Sequence, residues 1–162
     1  MSAAAQKIRP CLWFDKQAEE AVNFYVALLP NSRIDAVIRS PGNYPAGKAG
    51  DVLLVEFTLA GSRYIALNGG PYFNFTEAVS LLVDCDDQAE IDRLTEALSA
   101  VPEAEQCGWV KDRYGLSWQL VPTAMQRLMS DRDPAVAGRV FAAMMTMKRL
   151  DIAALEAAAA GR

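Results

Sequence analysis

The predicted elements of this chain run twice through one series, a strand, a helix and then more strands, and that repeated order constrains the fold more than any single motif. Residues 8–14 are apolar enough for a strand, which Asp15 ends. Ala18, Ala21, Val22, Tyr25, Leu28 and Leu29 then recur at helical spacing until Pro30-Asn31 stops the helix. Residues 33–39 read as a second strand, and the Gly- and Pro-rich run 40–50 as a loop. Residues 52–59 and 62–68 form a hairpin across Ala60-Gly61.

Asn68-Gly69-Gly70-Pro71 is the strongest break, and after it the order begins again. Residues 78–84 make a strand, Asp87 with Glu90 starts a helix in the manner of a capping box, and Ile91, Leu94, Thr95 and Leu98 give that helix its buried stripe. Residues 105–111 and 116–121 make a second hairpin across Asp112-Arg113-Tyr114-Gly115. Side-chain identity between the halves is weak, so the repeat is one of element order. The fold class expected is α+β, with a first unit at 1–70, a second at 71–122 and a helical tail at 123–162.

The tail opens with a short helix at 122–129. Asp133-Pro134 is an N-cap and N1 pair for a helix through about Met147, and Asp151 opens a last one to about Ala160. Met125, Met129, Met144, Met145 and Met147 crowd this region. Packing onto the body or a sister subunit is the commoner reason for such a cluster, and an adaptable partner surface is the alternative.

Composition narrows the function classes. With 52% hydrophobic and 22% charged residues the 162-residue chain has an ordinary globular balance. Its longest apolar runs are strand-sized, well short of the roughly 20 residues that cross a bilayer. Residues 1–7 carry no apolar leader core, so a cytoplasmic location is expected. Three cysteines, Cys11, Cys85 and Cys107, sit in or beside apolar patterns and suit reduced thiols. A net charge of −4 without any basic block argues against nucleic-acid binding. The chain has no histidine, which removes Ser–His–Asp and Cys–His nucleophiles, HExxH zinc sites and any His proton shuttle. Acid–base chemistry would fall to carboxylates, cysteines, tyrosines or lysines.

Period two in 52–59 puts Leu53, Val55, Phe57 and Leu59 on one face and Val52, Leu54, Glu56 and Thr58 on the other. Glu56 then stands amid apolar residues, either solvated on an open sheet or held in a pocket as a general base or metal ligand. In 116–121, Ser117, Gln119 and Val121 share a face, and in 78–84 Ser80 lies opposite the apolar Val79, Leu81 and Val83. Glu56, Ser80 and Gln119 would line one cavity if the sheet curls. Tyr72, Phe73 and Phe75 either lid a pocket or plug a core. Gly47-Lys48 lacks the Walker spacing, and no Gly-x-Gly-x-x-Gly occurs.

Several blocks carry a resemblance. Pro10-Cys11-Leu12-Trp13-Phe14, Ala18-Glu19-Glu20-Ala21, Asn23-Phe24-Tyr25 and Leu29-Pro30-Asn31-Ser32 open it. Asn68-Gly69-Gly70-Pro71, Phe73-Asn74-Phe75, Cys107-Gly108-Trp109-Val110-Lys111-Asp112, Tyr114-Gly115 and Ser117-Trp118-Gln119-Leu120-Val121-Pro122 continue it. Together they resemble, over nearly the whole chain and tail included, the PhnB-like family, also labelled 3-demethylubiquinone-9 3-methyltransferase-like. The resemblance implies the glyoxalase/bleomycin-resistance/extradiol-dioxygenase (vicinal oxygen chelate) superfamily. It further implies paired βαβββ modules with curled mixed sheets, and a homodimer.

In metal-dependent members of that superfamily four strand positions supply ligands, and by motif position these fall near Pro10, Glu56, Ala78 and Gln119. Pro10 and Ala78 offer no side-chain donor, whereas catalytic metal sites need about three protein ligands. The resemblance thus implies a metal-free pocket, or a site completed by other residues. For the methyltransferase label the sequence offers no Gly-rich strand–turn–helix to seat a methyl donor. The leading expectation is a small-molecule-binding protein with no metal or cofactor, in which Glu56 and Gln119 orient a polar group of the ligand. Ser80, Asn68, Tyr72 and Trp109 would form the wall. The rivals are a lyase- or dioxygenase-like enzyme using Glu56 as general base or metal ligand, a methyltransferase, and an interaction module acting through the Met-rich tail.

Overall fold

A computed structural model describes residues 6–162; most of the segment read above for a leader lies outside the described residues. The chain divides into two compact units, one ending at Asn74 and the other spanning Phe75–Arg162.

The first unit contains β1 (Cys11–Phe14), α1 (Ala18–Val26), β2 (Arg33–Arg39), β3 (Val52–Leu59) and β4 (Ser62–Asn68). Its four strands lie in the order β1-β4-β3-β2, with β1 parallel to β4 and the other pairs antiparallel. Leu59 pairs with Ser62, leaving Ala60 and Gly61 as a two-residue turn at φ 48° and 83°. Two left-handed residues in such a turn match the right-handed twist of the flanking strands. Helix α1 buries Ala18, Ala21, Val22 and Tyr25, and the sheet buries Val55, Phe57, Leu59 and Ala66. Each large apolar side chain so buried contributes about 1.5–3 kcal/mol.

The second unit contains β5 (Ser80–Cys85), α2 (Gln88–Leu98), β6 (Trp109–Lys111) and β7 (Ser117–Pro122), followed by α3 (Ala124–Met129), α4 (Pro134–Met144) and α5 (Ile152–Ala159). Its sheet has three strands in the order β5-β7-β6, with β5 parallel to β7. The fold is therefore α+β with two mixed sheets, and the second is one strand short of a βαβββ set. The reason lies between α2 and β6. Pro102–Ala104 forms a 3-10 turn, and Cys107 and Gly108 both adopt left-handed backbone, at φ 51° and 84°. Gln106 and Trp109 bond each other across that reversal, so the strand expected over 105–111 begins only at Trp109.

Asp87 caps α2 by accepting from the Glu90 amide at 2.8 Å, while the Glu90 carboxylate accepts from the Asp86 amide rather than from that of Asp87. Ile91, Leu94 and Leu98 of α2 are buried, as are Trp118 and Leu120 of β7. The tail expected at 123–162 is part of this unit. Met125, Leu128, Val140, Leu150 and Leu155 make its own core cluster. Asp133 and Asp151 cap α4 and α5 as expected. Helix α4 stops at Met144 instead of Met147 because the chain tightens there into i→i+3 bonds, from Thr146 to Ala143 and from Met147 to Met144. Among the described residues no helix is long and apolar enough to cross a membrane.

Candidate functional site

In the first unit the register fixes what surrounds Glu56. It pairs with Ala36 on one side and Ile65 on the other, and Ile65 pairs with Cys11 of β1. Cross-strand partners share a face, so Glu56, Ile65 and Cys11 stand in one row, with Leu54, Leu67 and Trp13 in the next. The face opposite α1 is thus a half-buried apolar surface that carries the Glu56 carboxylate, with Thr58 further along the strand donating to Asp35 Oδ2 at 2.7 Å. Glu56 is neither open to bulk water nor sealed: its side chain is 28% exposed, and Arg9 Nη1 lies 3.2 Å from Oε1. Sequence reading missed Arg9. The signal was available, since residues 9, 11 and 13 alternate onto the same face, but only strand register shows that this face carries Glu56.

In the second unit Leu82, Gln119 and Trp109 form one row across β5, β7 and β6. Gln119 Nε2 donates to Ser80 Oγ at 2.9 Å. Three predicted residues, Ser80, Gln119 and Trp109, therefore meet on the sheet face opposite the buried Trp118 and Leu120. Leu82 on that face is 52% exposed. Trp109 also lines a groove of about 480 Å³ with Glu77, Gln106, Cys107, Met144 and Met145. Glu77 is ion-paired to Lys111, and the hydrogen bond from that ammonium holds its carboxyl below the usual carboxylate range.

Asn68 and Tyr72 stand elsewhere in the first unit. Asn68 is buried; its Oδ1 accepts from the Ala18 amide that starts α1, and its Nδ2 donates to the Val52 carbonyl, each at 2.9 Å. It borders a polar cleft of about 530 Å³ whose other walls include Lys16, Arg39, Tyr44, Lys48 and Asp51. Gly47-Lys48 belongs to that cleft's loop wall, with no helix following it. Tyr72 is 61% exposed. Beside it, Phe73 meets Trp13 edge-on at 4.9 Å, and Trp13 Nε1 donates to the Gly70 carbonyl. A side chain at Gly69 would fall 2.2 Å from the Trp13 ring, so the indole requires glycine there.

The donors do not fit a divalent metal. Pro10 contributes only a backbone carbonyl, which accepts from Ile65, and Ala78 has no donor side chain. The Glu56 carboxylate is engaged by Arg9, and Gln119, whose Nε2 donates to Ser80, has only a neutral amide oxygen to offer. Among the described residues no three histidine, cysteine, aspartate or glutamate side chains gather.

Residues 6–121 match the family described as 3-demethylubiquinone-9 3-methyltransferase, so the matched region stops short of the tail that the sequence resemblance had included. Among solved structures, a Bacillus cereus PhnB protein provisionally described as a 3-demethylubiquinone-9 3-methyltransferase is 37% identical, with a TM-score of 0.62 over 73% of this chain and 100% of that one. A Pseudomonas aeruginosa protein is 20% identical at a TM-score of 0.56, over 73% of this chain and 98% of its own, a likeness of fold alone. A lactoylglutathione lyase from Agrobacterium tumefaciens is 14% identical at a TM-score of 0.39, over 76% of this chain and 96% of that one, too distant to argue from. No curated protein matches.

Proposed function

The chain belongs to the 3-demethylubiquinone-9 3-methyltransferase family, and from that premise we propose that it is a glyoxalase-like small-molecule-binding protein whose pocket uses no divalent metal. The observation that carries this reading is the Arg9–Glu56 pair at 3.2 Å. The one strong oxygen donor among the four superfamily ligand positions is neutralised by a guanidinium, the charge a metal would otherwise supply. A half-buried carboxylate paired in this way can still orient a ligand through its remaining lone pairs. Gln119 and Ser80 offer a neutral donor and acceptor beside Trp109, whose ring is a flat apolar wall. Methyl transfer is not part of the proposal. The sheet orders β1-β4-β3-β2 and β5-β7-β6 are not a doubly wound parallel sheet with a Gly-rich turn at a helix N-terminus. A homodimer and a cytoplasmic location complete the reading.

Calorimetric titration with Ni²⁺, Zn²⁺, Mn²⁺ and Fe²⁺, on wild type and Glu56→Ala, tests it. No stoichiometric binding is expected. One tightly held ion per chain, lost in Glu56→Ala, would overturn the proposal in favour of metal-assisted lyase or dioxygenase chemistry.

A further inference from the structure

We propose that Cys107, Met144 and Met145 form a binding site for a soft monovalent cation of the Cu(I) class. The site lies in the second-unit groove, where the approach to β6 meets the C-terminal end of α4. Cys107 Sγ and Met145 Sδ lie 3.9 Å apart. Two sulfurs that each bind one ion at about 2.3 Å and stand at that separation subtend an angle of about 115°, close to trigonal. Met144 lines the same groove while packing on the tail's core cluster, and it is the residue proposed to complete the shell as the third sulfur. Thiolate with thioethers is the donor set that selects Cu(I) over the oxygen-seeking divalent ions. The Glu77 carboxylate on the groove wall is committed to Lys111, and the remaining oxygen donor of the lining is the neutral amide of Gln106.

The backbone holds the thiol in place. Cys107 occupies a left-handed position, at φ 51°, that a non-glycine residue seldom adopts. That conformation is secured by two bonds to the segment just past α4. The Cys107 amide donates to the Met147 carbonyl and the Gly108 amide to the Lys148 carbonyl, both at 2.8 Å. The same two bonds tie the cysteine backbone to the chain that carries Met144 and Met145. Access is open, since Met145 is 47% exposed. On binding, the thiol releases its proton to solvent and the resulting thiolate balances the single positive charge, so the filled site is neutral.

The test is an anaerobic Cu(I) titration of the full chain against a chromophoric Cu(I) chelator, in a Cys11→Ser background because Cys11 is an exposed thiol. One ion per chain is expected. Cys107→Ser should abolish binding. Met145→Leu, which conserves volume at a half-exposed position, should weaken it by at least the roughly tenfold that loss of even an outer-shell partner costs. X-ray absorption on the loaded parent should show a sulfur-only shell, whatever the variants' folding. Unchanged affinity in Met145→Leu would reduce the site to a lone thiol and overturn the proposal. So would stoichiometric binding that survives Cys107→Ser, or a nitrogen and oxygen shell.

Discussion

Asp112 illustrates how far one residue's role can depart from its place in the sequence. Read as the first residue of a turn, it is a carboxylate only 1% exposed. Its Oδ1 accepts from the Tyr114 and Leu116 amides at 2.8 and 3.0 Å, and its Oδ2 from Trp118 Nε1 at 2.9 Å. Three donors satisfy the buried charge, and removing it strands all of them. Asp112→Ala should cost about 3 kcal/mol or more, read as a lower urea midpoint, with Asp112→Asn intermediate because it restores one acceptor. Cys85 is a second buried group with a definite consequence. Burial, reinforced by the neighbouring Glu90 and Asp84 carboxylates, pushes its thiol up to about 12 from an ordinary value of 9.0. The folded state thus favours the neutral thiol. Its contribution to stability is fully present below about pH 9 and fades as pH rises from there towards 12. The stability gap between wild type and Cys85→Ala should therefore narrow between pH 7 and pH 10 in parallel urea titrations. Cys85 should also resist alkylation until the chain unfolds.

At the scale of elements, local rules placed most of the chain. The strands 33–39, 52–59 and 62–68 were readable from their apolar runs and the turn residues that bound them, although the register shifts at Ile34/Ala36 and Ile38/Arg39 in β2 were not. The caps Asp87, Asp133 and Asp151 were equally legible. The Ala60-Gly61 turn was marked by its glycine, but the left-handed backbone at Ala60 was not, since alanine is an unusual choice there. Ala60→Gly should relieve that strain and stabilise the chain by up to about 1 kcal/mol, visible as a higher urea midpoint with an unchanged slope. The approach to β6 escaped prediction for the converse reason. Cys107-Gly108 carries no ordinary turn signature, and its reversal is held by the distant carbonyls of Met147 and Lys148.

At the scale of the whole molecule, the tail tests how far the second unit behaves as one body. Leu155 is fully buried in the cluster with Val140 and Leu150. The Leu150 side chain lies 3.1 Å from where a Cβ on Gly108 would fall, and Gln88 of α2 bonds Leu150 and Ile152. Leu155→Ala should cost about 2–5 kcal/mol and speed amide exchange at Cys107 and Gly108 as well as within α5, a pattern that hydrogen exchange would read directly. An effect confined to α5 would show the tail to be an independent appendage. The sequence by itself determined the α+β class, the order of elements and the caps. It also determined which face of the strand 52–59 is apolar and, through the lack of any histidine, that no imidazole takes part in the chemistry. These follow from residue type and short-range periodicity, which act within a few positions along the chain. Only the tertiary structure decided that Arg9 meets Glu56, that Ser80, Gln119 and Trp109 share one face, that Asp112 anchors Trp118, and that Cys107 faces Met145. Each of those depends on strand register or on segments distant in sequence being brought together, and no local pattern encodes which partner a side chain will find there.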